Sequence, residues 1–249
     1  MTKKYGRIEN KKLLQEYIDG LLLGDGSIPV DKRKGRLPWF SQTIKLSCVE
    51  WARKIKKDIN KFGLKCFIYG PYNRSEVTVR VETHPFFLKM RERWYSDKKK
   101  IVPKDLIITP IILGNWYLSD GKLDKDGMII LFTETFTFRE VEMLSTLLNE
   151  FVGIESYVKK NEKGNPIIKI RAKEVPIFLS FIPKEFRLRC FLYKFNVKSD
   201  HRRMKWLPSE DTFLKEVYGK VPAHIIADKL RRSISSIYHR ANRLGLKRR

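Results

Sequence analysis

The chain has 249 residues, 42% hydrophobic and 12% aromatic, enough apolar material for a packed core. Its 52 Lys and Arg against 28 Asp and Glu leave a net charge of +24, an excess that favours a polyanionic partner because each neutralised phosphate releases condensed counterions. Three dispersed cysteines without a CxxC and four scattered histidines argue against a disulfide framework and a thiolate or imidazole metal site, and no apolar run is long enough for a membrane span.

The stretch Tyr17–Ile28 (YIDGLLLGDGSI) runs an apolar helix into Asp25-Gly26, with Gly20 and Gly24 one helical turn apart. A mid-helix glycine costs about 1 kcal/mol relative to alanine, so the pair signals a close backbone contact. A strand over Trp39–Leu46 follows, and a capping box Ser47–Glu50 opens a helix to about Phe62. Strands over Leu64–Tyr69 and Glu76–Glu82 and a helix from about His84 to Trp94 come next. Ile111–Leu123 (IILGNWYLSDGKL) then repeats the opening pattern, its small residues being Gly114, Asn115 and Ser119 before Asp120-Gly121. The elements recur after it: a strand over Met128–Thr135, a capping box Thr137–Glu140, a helix to Phe151, strands over Ile154–Lys159 and Ile167–Ala172, and a helix over Glu174–Ile182. The order αββαββα therefore occurs twice. The expected fold is α+β, with pseudo-symmetric repeats over 9–104 and 105–197.

Lys100 follows Asp25 by 75 positions and Lys194 follows Asp120 by 74, so carboxylates and lysines come as matched sets. Side-by-side packing of the two Asp-Gly helices would explain the small residues Gly20, Gly24, Asn115 and Ser119. It would also bring Asp25 and Asp120 to one axis, where two anions at negative helix ends need compensating cations, supplied by oxygen-liganded divalent metal.

Tyr17–Gly26 and the second copy Thr109–Gly121, with the flanking segments Lys100–Pro103 and Phe191–Lys194, resemble the LAGLIDADG homing endonucleases in their single-chain, two-motif form. The resemblance covers roughly Glu9–Val197. It implies a monomer whose antiparallel ribbons, four strands per half, form a saddle on double-stranded DNA. It implies further that Asp25 and Asp120 bind a divalent metal, Mg2+ or else Mn2+, with help from the carbonyls of Gly24 and Ser119, and that Lys100 and Lys194 act near the scissile phosphates. Where the family often has Gln at the end of the second strand, this chain offers Lys45 and Glu134. Thr78, Arg80, Lys169 and Arg171 alternate with apolar residues and would face DNA, together with Lys32, Arg33, Lys34, Lys45 and Lys122.

Beyond Val197, 198–205 reads as a polar basic linker and 206–249 as three short amphipathic helices. The first is capped by Ser209 and the third by Ser233, with Trp206, Phe213, Leu214, Ile226, Leu230, Ile234, Ile237 and Leu244 as core. This tail resembles a Myb-like helix-turn-helix module. The resemblance implies that its third helix presents Ser235, Ser236, His239, Arg240 and Arg243 to DNA. The expected activity is a metal-dependent, site-specific endonuclease cutting both strands of a long asymmetric target. An intron-RNA-binding maturase and a non-cleaving DNA-binding regulator are the alternatives. The chain opens without a recognisable secretory leader, which sets the expectation of an intracellular location with DNA.

Overall fold

The computed structural model describes residues 5, 7–31, 36–72, 75–196, 206–230, 232 and 234–246. Lys32, Arg33 and Lys34, the stretch 198–205 and Ser233 lie outside them. The chain divides into two compact units, Met1–Asn196 and Val197–Arg249.

In the larger unit α1 (Lys11–Leu23) begins at Asn10, whose side chain accepts from the Leu13 amide at 3.0 Å. It is buried almost throughout its second half. Strand β1 (Ser41–Lys45), helix α2 (Val49–Lys61), strands β2 (Cys66–Tyr72) and β3 (Glu76–Val81) and helix α3 (Pro85–Trp94) follow. The sheet order is β1-β3-β2, antiparallel throughout, with α2 against its inner face. Alternation is clean: Val77, Val79 and Val81 are buried while Glu76 and Arg80 point outward, as a half-buried strand requires.

Among the described residues the main sheet of the first half has three strands where four were expected. The candidate fourth contributes a single antiparallel bridge, Ser27 to Ser41. Side chains take the next backbone groups: the Tyr95 hydroxyl accepts from the Ile28 amide at 3.0 Å, and the Arg91 guanidinium donates to the Ile28 carbonyl. Pro29 and Pro38 in the same stretch have no amide to offer a ladder.

A small hairpin that the sequence did not announce follows α3. Its strands are β4 (Tyr95–Ser96) and β5 (Lys99–Lys100), turned through Asp97 and Lys98 at φ 46° and 69°. Helix α4 (Pro110–Asp120) leads directly into β6 (Gly121–Leu123), then β7 (Ile129–Phe132), α5 (Phe138–Val152), β8 (Ser156–Lys160), β9 (Pro166–Ile170), α6 (Val175–Phe181) and a one-turn α7 (Leu192–Phe195). The second sheet is complete at four strands, order β6-β7-β9-β8, with α5 packed on β8 and β9.

The capping box at Thr137 and Glu140 forms as expected. The one expected at Ser47 and Glu50 does not. A 3-10 turn, Leu46–Cys48, precedes α2, and the Glu50 carboxylate instead accepts from the Cys190 amide at 3.4 Å.

The smaller unit packs α8 (Pro208–Val217), α9 (Ala223–Lys229) and α10 (Ile234–Arg243) around Leu214, Ile226, Ala227, Ile237 and Ala241. Ile234, expected in this core, is 45% exposed. Leu207, not Ser209, holds the cap position of α8: Pro208 occupies the first turn and Glu210 accepts from the Leu207 amide at 2.8 Å. The buried Arg232 guanidinium pairs with Glu210 at 2.7 Å and lies 4.3 Å over the Trp206 ring. The resulting core is small and held partly by charge.

Candidate active site

The mid-helix glycines answer to a steric demand. A Cβ on Gly20 would lie 2.7 Å from the Ile112 carbonyl oxygen and 2.9 Å from the Asn115 Cβ, and one on Gly24 would lie 2.1 Å from the Ser119 Cβ. These distances are shorter than carbon contacts allow, so α1 and α4 meet backbone to backbone at Gly20 and backbone against the Ser119 side chain at Gly24. Asn115 adds a polar tie, donating from Nδ2 to the Tyr17 carbonyl at 3.4 Å across the seam.

The seam delivers both motif aspartates to one place. Asp25 follows the cap residue Gly24, and Asp120 closes α4; a Cβ on Gly24 would be 3.3 Å from the Asp120 Oδ2. Asp25 is exposed, Asp120 half-buried. Burial pushes the Asp120 carboxyl up to about 7; the Asp25 charge adds to this and Lys100 and Lys194 oppose it. Asp25 keeps an exposed side, but the desolvation of its carboxyl against the seam also raises it, against the pull of the same two lysines.

Lys100 and Lys194 are anchored, not free on the surface. Lys100 Nζ donates to the Leu22 and Gly24 carbonyls at 2.9 and 2.8 Å; Lys194 Nζ donates to the Tyr117 and Leu118 carbonyls at 3.0 and 2.7 Å. Each therefore satisfies the exposed carbonyl end of one motif helix, where a cation is also favoured by the helix dipole. Burial depresses both ammonium groups to about 8, while Asp120 and Asp25 hold them up. Each carboxyl feels both lysines, and Asp120 also feels Asp25, which defines a single centre.

Gly24 and Ser119, expected as carbonyl ligands, are both at this seam, but the Gly24 carbonyl already accepts from Lys100. The Ser119 hydroxyl accepts from Gln42 Nε2 at 3.3 Å. Gln42 is the residue that sequence reasoning missed. It is 1% exposed in β1, its Oε1 has no hydrogen-bond partner among the described residues, and it borders the same groove as Asp25, Ser119, Lys194 and Lys45. The available signal was a polar residue at an inward position of an alternating strand, two residues before buried Ile44. Ser27, two residues after Asp25, bridges Ser41, and Lys122, two residues after Asp120, pairs with Ile130, so the second sheet carries Leu131 where the first carries Gln42. Glu134 lies near enough to Asp120 to raise its pKa and accepts a hydrogen bond from Asn161.

On the outer sheet faces Arg80 lies 4.3 Å over the Trp39 ring and Arg171 5.8 Å over Tyr157, while Thr78 shares a hydrogen bond with Thr43 at 3.4 Å. Lys45 and Lys122 are exposed and Lys169 half-buried. Phe67 and Tyr69, exposed on β2 beside Arg80 and Thr78, join that face unforeseen. In the smaller unit Ser235, His239 and Arg243 are exposed on α10 and Ser236 is half-buried. Arg240 departs from expectation: its guanidinium forms an ion pair with Asp211 at 2.5 Å and lies 5.6 Å over Trp206, so it serves the fold of its own unit.

Among the described residues no three His, Cys, Asp or Glu side chains gather at metal-binding distance. The donors that do converge, two carboxylates with backbone carbonyls nearby, are all oxygen. They leave most of a hard cation's coordination to water and phosphate, which suits Mg2+. The residues thus fit a divalent ion.

The fold and this centre define an α+β protein with two acidic helix ends at a shared seam. Residues 15–178 match the LAGLIDADG DNA endonuclease family, and the chain belongs to it. It is 32% identical over 194 residues to an uncharacterized protein of Methanocaldococcus jannaschii, covering 71% of this chain and 74% of that one. It is also 32% identical over 193 residues to a probable intron-encoded endonuclease of Wickerhamomyces canadensis, covering 69% and 79%. The homing endonuclease I-WcaI bound to its DNA recognition sequence superposes with a TM-score of 0.56 at 25% identity, over 71% of this chain and 84% of that one. No helix among the described residues is long and apolar enough to cross a membrane.

Proposed function

We propose that this chain is a monomeric, two-motif endonuclease that cuts both strands of a specific DNA duplex with Mg2+ or Mn2+. One observation carries the reading: Asp25 and Asp120 sit at one seam, each at a helix end clamped by its own lysine, Lys194 buried and Lys100 half-buried. A divalent ion bound at these carboxylates supplies Lewis-acid stabilisation of the phosphoryl oxygens and a low-pKa water. Asp25 and Asp120 hold it, with the carbonyls of Gly24 and Ser119 as further oxygens. Lys100 and Lys194, fixed by their carbonyl bonds, place positive charge where a pentacovalent phosphate develops negative charge. Gln42 Oε1, unpartnered and buried at the groove, is placed to accept from an attacking water on one strand.

Two carboxylates so close can serve opposite strands only where their phosphates approach most nearly. That is across the minor groove, about 6 Å wide against about 12 Å for the major groove. The outer sheet faces, with Thr78, Arg80, Lys169, Arg171, Lys45 and Lys122, then have the width for the major groove on either side. In this reading 9–104 and 105–197 are the two repeats, 198–205 joins them to 206–249, and α10 extends the footprint through Ser235, Ser236, His239 and Arg243.

The test is selection of cleaved duplexes from a randomised library by purified protein with Mg2+. Recovery of one long asymmetric site, cut on both strands and lost in Asp25→Asn and Asp120→Asn, is the expected result. Tight binding of intron RNA with no DNA cleavage would replace this reading with the maturase. DNA binding without cleavage under any divalent ion would replace it with a regulator.

A further inference from the structure

Among the large apolar side chains described, Tyr193 is the most exposed, at 64%. A single exposed aromatic is ordinary on a protein surface. This one borders the groove that also holds Asp25, Gln42 and Lys194, and it immediately precedes the lysine that clamps the end of α4. The rest of that groove is polar or charged at its mouth: Ser27, Thr43, Lys45 and Glu76. A large ring held open to water there gains nothing for folding, since it stays in water in the folded chain.

Nor does the other half repeat it. The residue before Lys100 is Lys99, exposed on β5 and suited to a phosphate. At the corresponding place one half offers a charge and the other a ring. Tyr193 is also the more firmly seated: Lys194 is 5% exposed, and the neighbouring Phe191 is buried with Trp51 at a ring separation of 5.4 Å. The one-turn helix α7 is thus fixed to the core on both sides of the ring it presents.

We propose that Tyr193 is a positioning residue for DNA cleavage: its ring enters the minor groove between the two scissile phosphates and loosens the stacking of a central base step. The inference rests on the nuclease reading above. An apolar ring in a minor groove acts by packing between sugars and prising a step apart, at a cost that depends on the step. Pyrimidine–purine steps yield most easily, so the chain would prefer them at the centre of its site without a hydrogen bond to any central base. The ring stands on one side only, so the opened step lies nearer one cut than the other.

The experiment uses the full chain and the duplex recovered by cleavage selection, with 2-aminopurine placed in turn at each central position and Ca2+ replacing Mg2+ to hold the uncut complex. Wild type and Tyr193→Phe are expected to raise 2-aminopurine emission at one central step about threefold, and Tyr193→Ala to leave it flat. With Mg2+, Tyr193→Ala should lose about tenfold in single-turnover rate while its Kd stays within about threefold, and should level the rates of duplexes differing only at the central step. Tyr193→Phe should match wild type in all of these. An emission rise and a central-step preference that survive Tyr193→Ala would overturn the proposal. So would a flat wild-type signal on a duplex that the enzyme cuts, which leaves the nuclease reading standing. Failure of wild type to cut any duplex sinks both.

Discussion

The two halves of the larger unit reach one centre by different scaffolding. Lys100 arrives on a two-residue strand of a tight hairpin and Lys194 on a one-turn helix, yet each ends on the last carbonyls of its own motif helix. Among the described residues the first sheet has three strands and a bridge, the second four; β1 points a glutamine inward where β7 points Leu131. The geometry is therefore specified at the ammonium and carboxylate atoms, while the chain that carries them is free to vary. What differs, Gln42 on one side and Glu134 near Asp120 on the other, would make the two proposed cuts chemically unequal.

The strongest way to break this comparison is to remove one carboxylate at a time. Asp25→Asn and Asp120→Asn should each lower double-strand cleavage by about 1,000-fold or more, given the several kcal/mol a metal supplies to the transition state. Binding in Ca2+ should be retained. Plasmid nicking assays decide whether the two variants leave equal single-strand activity; equal nicking would erase the asymmetry argued from Gln42. Next in size, Lys100→Met and Lys194→Met should each slow cleavage by roughly 100-fold, as loss of a preorganised donor does. Lys194→Met should also destabilise the fold more, since the Tyr117 and Leu118 carbonyls it leaves are buried, at about 1–3 kcal/mol for unpaired buried groups.

Stability sharpens the comparison at the seam. Gly24→Ala drives a methyl into the Ser119 side chain, a strain of about 1–3 kcal/mol. Ser119→Gly should recover most of it in a double-mutant cycle read by denaturant melts. Gly20→Ala meets the Ile112 backbone instead, so truncating Asn115 should recover little.

The pH dependence follows from the same centre. In metal-free protein the folded state keeps a proton on Asp120 up to about pH 7 that the unfolded chain releases near 3.8. That contribution is complete below pH 3.8 and is lost as pH rises through about 7. Lys100 and Lys194 act in the opposite sense: folded, they give up protons from about pH 8 that the unfolded chain holds to 10.5, so their contribution grows over that upper window. Calorimetry in EDTA between pH 5 and 7.5 should show a Tm that falls, and Mg2+ or Asp120→Asn should flatten the slope. The smallest effect is expected in the tail unit. Arg243→Ala should weaken DNA binding by a few-fold for every sequence and lower the salt slope by about one, whereas Arg240→Ala should show up chiefly as a lower Tm.

Much of the centre was legible in the sequence because its residues are costly elsewhere. Glycines inside a helix and Asp-Gly at its end are rare enough that two copies at matched offsets from two lysines identify each other. The hairpin that carries Lys100 was not legible: it turns through Asp97 and Lys98 at positive φ without a glycine to mark it. Gln42 escaped because the helix-to-strand spacing differs between halves, the matching positions Gln42 and Leu131 lying 17 and 11 residues after Asp25 and Asp120. Arg240 misled for the opposite reason. A basic residue on an exposed helix face reads the same whether it meets a phosphate or the Asp211 and Trp206 of its own fold.

The absence of room between α1 and α4 has a consequence for how such a gene can diverge. Mutations on the outer ribbons meet only solvent or ligand and can accumulate independently in each half, retuning which sequence is engaged. At Gly20, Gly24, Asn115 and Ser119 a change in one half is felt at once by the other, so the seam drifts only by paired substitution. Ancestry stays readable there long after the working surfaces have lost their likeness.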